Sequence, residues 1–146
     1  MAEIRRTAQA VWTGDLKGGK GEMTATSGAF QHTPYSFATR FESAPGTNPE
    51  ELIAAAHAAC FSMAFSATLG RKGHTPERIE TKATCIMTPQ PTGGFKITRM
   101  ELQTRGKVPG LSANEFVEIA KEAEQGCPVS VLLRPGAEIH LDAQMM

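Results

Sequence analysis

Hydrophobic and polar residues alternate at both ends of this chain and give way in the middle to a stretch with no charge. From Leu52 to Leu69 there is no Asp, Glu, Lys or Arg. The spacing predicts a helix within Thr47 to Gly70, with Pro49 to Leu69 as its body. Asn48 is placed to cap it, Pro49 suits the first helical position, and Glu51 follows three residues after Asn48 to close a capping box. Glu50 and Glu51 suit the positive end of the helix dipole, and Gly70 to Gly73, with Arg71 and Lys72 between, form the stop signal. A helix apolar on all sides must be covered on all sides. Ala54, Ala55, Ala56, Ala58, Ala59, Ala64 and Ala67 keep it slim, and no other stretch supplies a second such helix. A homodimer pairing two copies of it, with sheets around them, is therefore expected.

The flanking patterns are strand-like. Ile4 to Trp12 alternates weakly, the turn Asp15 to Gly21 reverses the chain into Glu22 to Gly28, and Pro34 to Phe41 reads as a third strand, giving a β-meander. Gly14, Gly18, Gly19 and Gly21 do not fit a phosphate-binding loop, so a hairpin is the better reading. After the central helix, Arg78 to Thr88 places Ile79, Thr81, Ala83, Cys85 and Met87 on one face. Phe95 to Val108 is a long strand whose apolar phase slips between Ile97 and Met100, the signature of a bulge. Ser112-Ala-Asn-Glu115 is a second capping box, opening a helix with Phe116, Ile119, Ala120 and Ala123 on its apolar side and Gly126 at its end. Cys127-Pro128 starts a short helical turn, and a last strand carries Ile139, Leu141 and Ala143 on one side. Strands, helix, strands, helix, strand make the class α+β with mainly antiparallel sheet, in a single domain over residues 1–146.

Composition narrows the function. Fifteen basic and fifteen acidic residues balance, which supplies no attraction to nucleic acid or to an anionic membrane. No apolar run reaches roughly 18 residues without a polar interruption, and Met1 to Arg6 lacks the apolar block of a signal peptide. The expectation is a cytoplasmic protein with neither a membrane nor a nucleic-acid partner. Cys60, Cys85 and Cys127 are odd in number and far apart, unlike a secreted disulfide framework.

The chemistry rests on the thiols. A free thiol is only about 3% ionised at neutral pH, and apolar burial lowers that further. On composition alone, an alanine-flanked cysteine in such a helix is more often core filler than nucleophile. A nucleophilic Cys60 needs a cation from elsewhere in the chain, and Arg40, read as ending the strand before the helix, is the best candidate, with Glu50 to hold it. Glu50 and Cys60 lie ten residues apart, roughly 15 Å along a helix, so they meet in one site only if Glu50 comes from a second copy. Cys127 precedes proline at a helix start, where free N–H groups favour a thiolate, and follows a glycine that permits movement. It reads equally as a resolving thiol and as a poor cap without a role. His57, one turn before Cys60, is favoured as a packing histidine over a metal ligand or a base for Cys60. Cys85 reads as core.

The runs P-Y-S-F-A-T-R-F-E at 34–42, G-T-N-P-E-E-L-I-A-A-A-H-A-A-C-F-S-M-A at 46–64 and G-C-P-V-S at 126–130 resemble the osmotically inducible OsmC proteins, relatives of the organic hydroperoxide resistance (Ohr) proteins. The likeness runs from the W-x-G-D of Trp12 to Asp15 through to the final strand. It implies an intertwined homodimer, sheets wrapped around long central helices, that reduces organic hydroperoxides better than hydrogen peroxide. By matching positions it makes Cys60 the peroxidatic cysteine, Cys127 the resolving one, and Arg40 with Glu50 the activating pair. The Ohr branch carries its arginine in an earlier loop, where this chain has Lys17-Gly18-Gly19-Lys20, so Arg40 follows the OsmC pattern. No metal or organic cofactor is required, and a dithiol, of lipoyl type for example, is the expected reductant. Phe37, Phe41, Phe61 and Met63 are the expected walls of an apolar pocket. Two other readings stand beside this one: a thiol-based redox sensor without sustained turnover, and metal storage through His57 and Cys60.

Overall fold

The computed structural model describes residues 1–146. The elements are β1 (Ala8–Thr13), β2 (Lys20–Ala25), β3 (Thr33–Tyr35), α1 (Phe37–Phe41), α2 (Pro49–Arg71), β4 (Arg78–Pro89), β5 (Phe95–Lys107), α3 (Ala113–Gly126), α4 (Pro128–Leu133) and β6 (Glu138–Met145). They form two compact units, Met1–Leu52 and Ile53–Met146.

The first unit is the expected meander. β1 pairs antiparallel with β2 from Ala8↔Ala25 to Thr13↔Lys20, and β2 pairs antiparallel with β3. The glycine-rich turn is a hairpin, closed by Gly19 N–H to Asp15 O and Gly18 N–H to the Asp15 carboxylate, each at 2.9 Å. Gly21 must lack a side chain, because a Cβ there would lie 2.6 Å from the Tyr35 ring and 2.7 Å from Trp12. The run Pro34 to Phe41 is not one strand. It ends at Tyr35, and α1 follows, because Ser36 and Thr39 form a reciprocal capping box that starts a helical turn. Every residue of β1 is exposed, and none of residues 1–52 is fully buried.

The second unit holds the core. Phe61, Phe65 and Leu69 of α2 pack with Leu102, Val108, Leu111 and the apolar face of α3, namely Phe116, Ile119, Ala120 and Ala123. The rings of Phe65 and Phe116 meet edge to face at 5.0 Å. β4 and β5 pair antiparallel, and the register breaks between Ile86 and Met87, whose partners are Arg99 and Ile97. Thr98 is thus the extra residue, at the place where the apolar phase slips. β6 joins β5 in parallel, from Arg99↔Glu138 to Gly106↔Met145. The crossover through α3 and α4 makes that direction available.

Asn48 caps α2, its side-chain oxygen accepting from Glu51 N–H at 2.8 Å. The helix is not covered on all sides as the sequence implies. His57, Phe61, Phe65, Thr68 and Leu69 are buried, whereas Ala55, Ala56, Ala59, Met63, Ser66 and Ala67 are exposed. Polar interruptions keep any strictly apolar run short, yet an 18-residue window of α2 has a mean hydropathy of 1.6, so by length and composition it is one helix able to cross a membrane. The same length and apolarity serve a core helix, and its buried face is part of the core.

Candidate active site

Two groups of candidate residues emerge, one in each unit. In the first, α1 puts Arg40 in its last turn and α2 puts Glu50 in its first turn, so each charge sits at the helix end that favours it. Arg40 Nη2 donates to Glu50 Oε1 at 2.8 Å, and its Nε donates to Oε1 and Oε2 at 3.1 and 3.3 Å. This fork leaves Glu50 nearly enclosed and Arg40 partly free, at 12% and 38% side-chain exposure. Arg40 therefore keeps donor capacity for another anion. It also lies 5.1 Å above the Phe41 ring. Trp12, Leu16, Tyr35, Ser36, Phe37, Arg40 and Phe41 line a cavity of about 240 Å³. Of the expected pocket walls, Phe37 and Phe41 are there. Phe61 is instead in the core, 5.7 Å from Phe65, and Met63 stands on the open face of α2.

In the second group, Cys60 Sγ and Cys127 Sγ are 3.4 Å apart and not joined by a disulfide. Sixty-seven residues separate them, and the fold closes that gap because α3 returns the chain so that Cys127, between α3 and α4, faces α2. Cys127 is not on an exposed, mobile corner: it is wholly buried in the cluster that contains Phe61 and Ala123. Nor do the free N–H groups of α4 serve Cys127, whose side chain makes no cap bond. One of them serves Cys60. Burial is the largest influence on the Cys60 thiol and pushes its pKa up; the Val129 N–H then opposes that shift, and contact with Cys127 adds to it. This unit alone holds Cys60 as a thiol rather than a thiolate.

His57 is buried, and its Nε2 lies 2.8 Å from Ser130 Oγ while Nδ1 has no partner. It is a packing histidine only half satisfied. Burial depresses its pKa, with Glu124 acting in the opposite sense and Arg134 reinforcing the depression. The two last form an ion pair at 2.6 Å. No three His, Cys, Asp or Glu side chains converge as metal ligands, so His57 and Cys60 stand without the further donors a site would need. Sequence reasoning missed Val129 and Ser130, although proline at the first position of α4 already implies that the next N–H groups are free.

The family described as OsmC-like protein matches residues 42–142. Peroxiredoxin OsmC of Escherichia coli is 49% identical over 142 residues, 97% of each chain. An organic hydroperoxide resistance protein of Xanthomonas axonopodis is 34% identical over 97 residues, 66% of each chain. Among solved structures, an organic hydroperoxide resistance protein OsmC from Legionella pneumophila superposes with a TM-score of 0.73 at 25% identity, over 97% of this chain and 99% of that one. Matched in sequence across nearly its whole length and in fold from end to end, this chain belongs to the OsmC-like family.

Proposed function

We propose that this chain is a cysteine-based peroxidase reducing organic hydroperoxides, alkyl or lipid, and less well hydrogen peroxide, to alcohols. The observation that carries this reading is the pair of unbonded sulfurs 3.4 Å apart, one partly accessible and one buried. The names of the Escherichia coli and Xanthomonas relatives support it. The Cys60 thiolate attacks the distal peroxide oxygen; the O–O bond breaks, alkoxide leaves and takes a proton, and Cys60 becomes a sulfenic acid. Cys127 then displaces hydroxide from that sulfur to form the disulfide, which releases water once the Cys127 proton is counted. An external dithiol, of lipoyl type for example, restores both thiols.

Because burial holds Cys60 protonated, a cation is required, and Arg40, held by Glu50, is the group suited to it. Its fork would donate to the thiolate and to the oxygens that gain charge as the O–O bond breaks. The ten-residue spacing of Glu50 and Cys60 on one helix argues that this pair comes from a second copy of the chain. Two further observations support a homodimer. No residue of 1–52 is fully buried, although a small sheet is stable only with a covered apolar face. Met63 and Leu132 are 76% and 75% exposed. The balanced charge fits a cytoplasmic protein without nucleic-acid or membrane partners.

The test is turnover. Reduced protein mixed with cumene hydroperoxide and a dithiol should consume peroxide catalytically, and Cys60→Ser should abolish it. Consumption that stops at one equivalent with every dithiol tried would instead identify a redox sensor.

A further inference from the structure

The contact between α2 and α4 holds a second pair beside the sulfurs. His57 lies three residues before Cys60, and Ser130 three residues after Cys127. One step runs back along α2 and the other forward along α4, so the helices are antiparallel here. The His57–Ser130 bond at 2.8 Å and the Cys60–Cys127 contact at 3.4 Å are neighbouring rungs, about one turn apart.

Ser130 is the one fully buried residue of α4. Val131 and Leu132 point outward, 53% and 75% exposed. Val129 packs against the core and Arg134, at the end of the helix, pairs with Glu124 of α3; the buried polar link from α4 to α2 is the bond between Ser130 and His57. The imidazole is kept at that spot although its other nitrogen is buried without a partner. A space-filling apolar side chain would avoid that cost but could not hold the serine hydroxyl.

We propose that His57 and Ser130 are positioning residues for the resolving step, fastening α4 to α2 so that Cys127 Sγ stays within reach of Cys60 Sγ. This rests on the peroxidase reading. Forming the disulfide shortens 3.4 Å to about 2.05 Å, so a closure of roughly 1.4 Å suffices while the clamp holds. In that step Cys127 Sγ bonds to the sulfenic sulfur of Cys60, the S–O bond breaks, and hydroxide leaves as water with the proton of Cys127. The two electrons have already gone to the first peroxide. If α4 drifts, the sulfenic acid waits, and a second hydroperoxide oxidises it to sulfinic acid. The clamp thus sets how Cys60 partitions between a reversible and an irreversible fate.

The partition is measurable as a ratio that does not depend on the speed of the first oxidation. Wild type, Ser130→Ala, His57→Leu, Ser130→Thr and His57→Gln, all reduced, are treated with increasing cumene hydroperoxide and analysed by peptide mass spectrometry. Loss of two hydrogens across Cys60 and Cys127 marks the disulfide; gain of two oxygens on Cys60 marks the sulfinic acid. Ser130→Ala and His57→Leu should shift the ratio about tenfold or more toward sulfinic acid. Ser130→Thr keeps the hydroxyl and His57→Gln keeps an amide able to donate or accept, and both should restore the wild-type ratio. A wild-type ratio in whichever of Ser130→Ala and His57→Leu folds would overturn the positioning role alone. A wild type that forms no Cys60–Cys127 disulfide would overturn the peroxidase cycle itself.

Discussion

Arg40 and Glu50 meet through three N–H to oxygen contacts between 2.8 and 3.3 Å, joining the last turn of α1 to the first turn of α2. A guanidinium held in this way keeps one edge for the carboxylate and another for a substrate. Lysine cannot do both, since it offers a point charge without the fork. Arg40→Lys is expected to lower kcat/KM for cumene hydroperoxide by about 100-fold, the usual effect of removing a donor aimed at developing charge. The thermal midpoint should move little, because the pair is partly exposed and the charge is kept. Steady-state kinetics beside a melting curve check both halves.

If Arg40 and Cys60 of different copies make each active site, two inactive variants should complement each other. Arg40→Ala and Cys60→Ser, unfolded together and refolded as a mixture, are expected to recover about a quarter of wild-type activity, since random pairing gives half heterodimers and each of these has one intact site. No recovery above the separate variants would place both residues of a site in one chain.

The cavity beside Arg40 has Phe37 and Phe41 among its walls, their rings 5.0 Å apart. Phe37→Ala should raise KM for the bulky cumene hydroperoxide by about 10- to 100-fold, the range set by 1–3 kcal/mol of lost apolar contact. Hydrogen peroxide makes no use of that surface, and its kcat/KM should stay within about threefold. Equal losses on both substrates would move the apolar subsite elsewhere.

His57 gives a stability prediction whose sign is fixed. Burial depresses its pKa in the folded chain, so between the folded and the ordinary unfolded value the unfolded state binds more protons. Stability from this group is present above about pH 6.5, the unfolded value, and is lost as the pH falls through the depressed folded value. Glu124 and Arg134 face the ring with opposite charges, and burial outweighs them. Urea midpoints taken from pH 7.5 down to pH 5 should therefore fall more steeply for wild type than for His57→Gln. Parallel curves would mean that the ring is hydrated or already charged.

Much of this was legible in the residues. The caps of α2 and α3 depend on side chains three positions apart, a local relationship, and the structure makes both. The bulge at Thr98 shows in the sequence because a buried face imposes period two, and a slipped phase has nowhere else to go. Cys60, Cys127, Arg40 and Glu50 stand out by residue type and neighbours. What was not legible is of two kinds. Ser36 and Thr39 compete locally with a strand pattern of mixed character, and the capping box wins. The burial of Cys127, the parallel pairing of β6 and the turn of Val129 N–H toward Cys60 depend on how α3 returns the chain, which no window of sequence contains.

If Cys60 and Cys127 cycle as proposed, the unequal burial of the two sulfurs sets the direction of recycling. A reducing dithiol has no approach to Cys127, which is sealed in the interior, and must enter at Cys60. The transient adduct then joins reductant to Cys60, and Cys127 departs as the leaving group. In a Cys127→Ser enzyme a monothiol should condense with the Cys60 sulfenic acid, releasing water, and remain on α2 as a mixed disulfide, whereas a dithiol should free Cys60 through its second thiol.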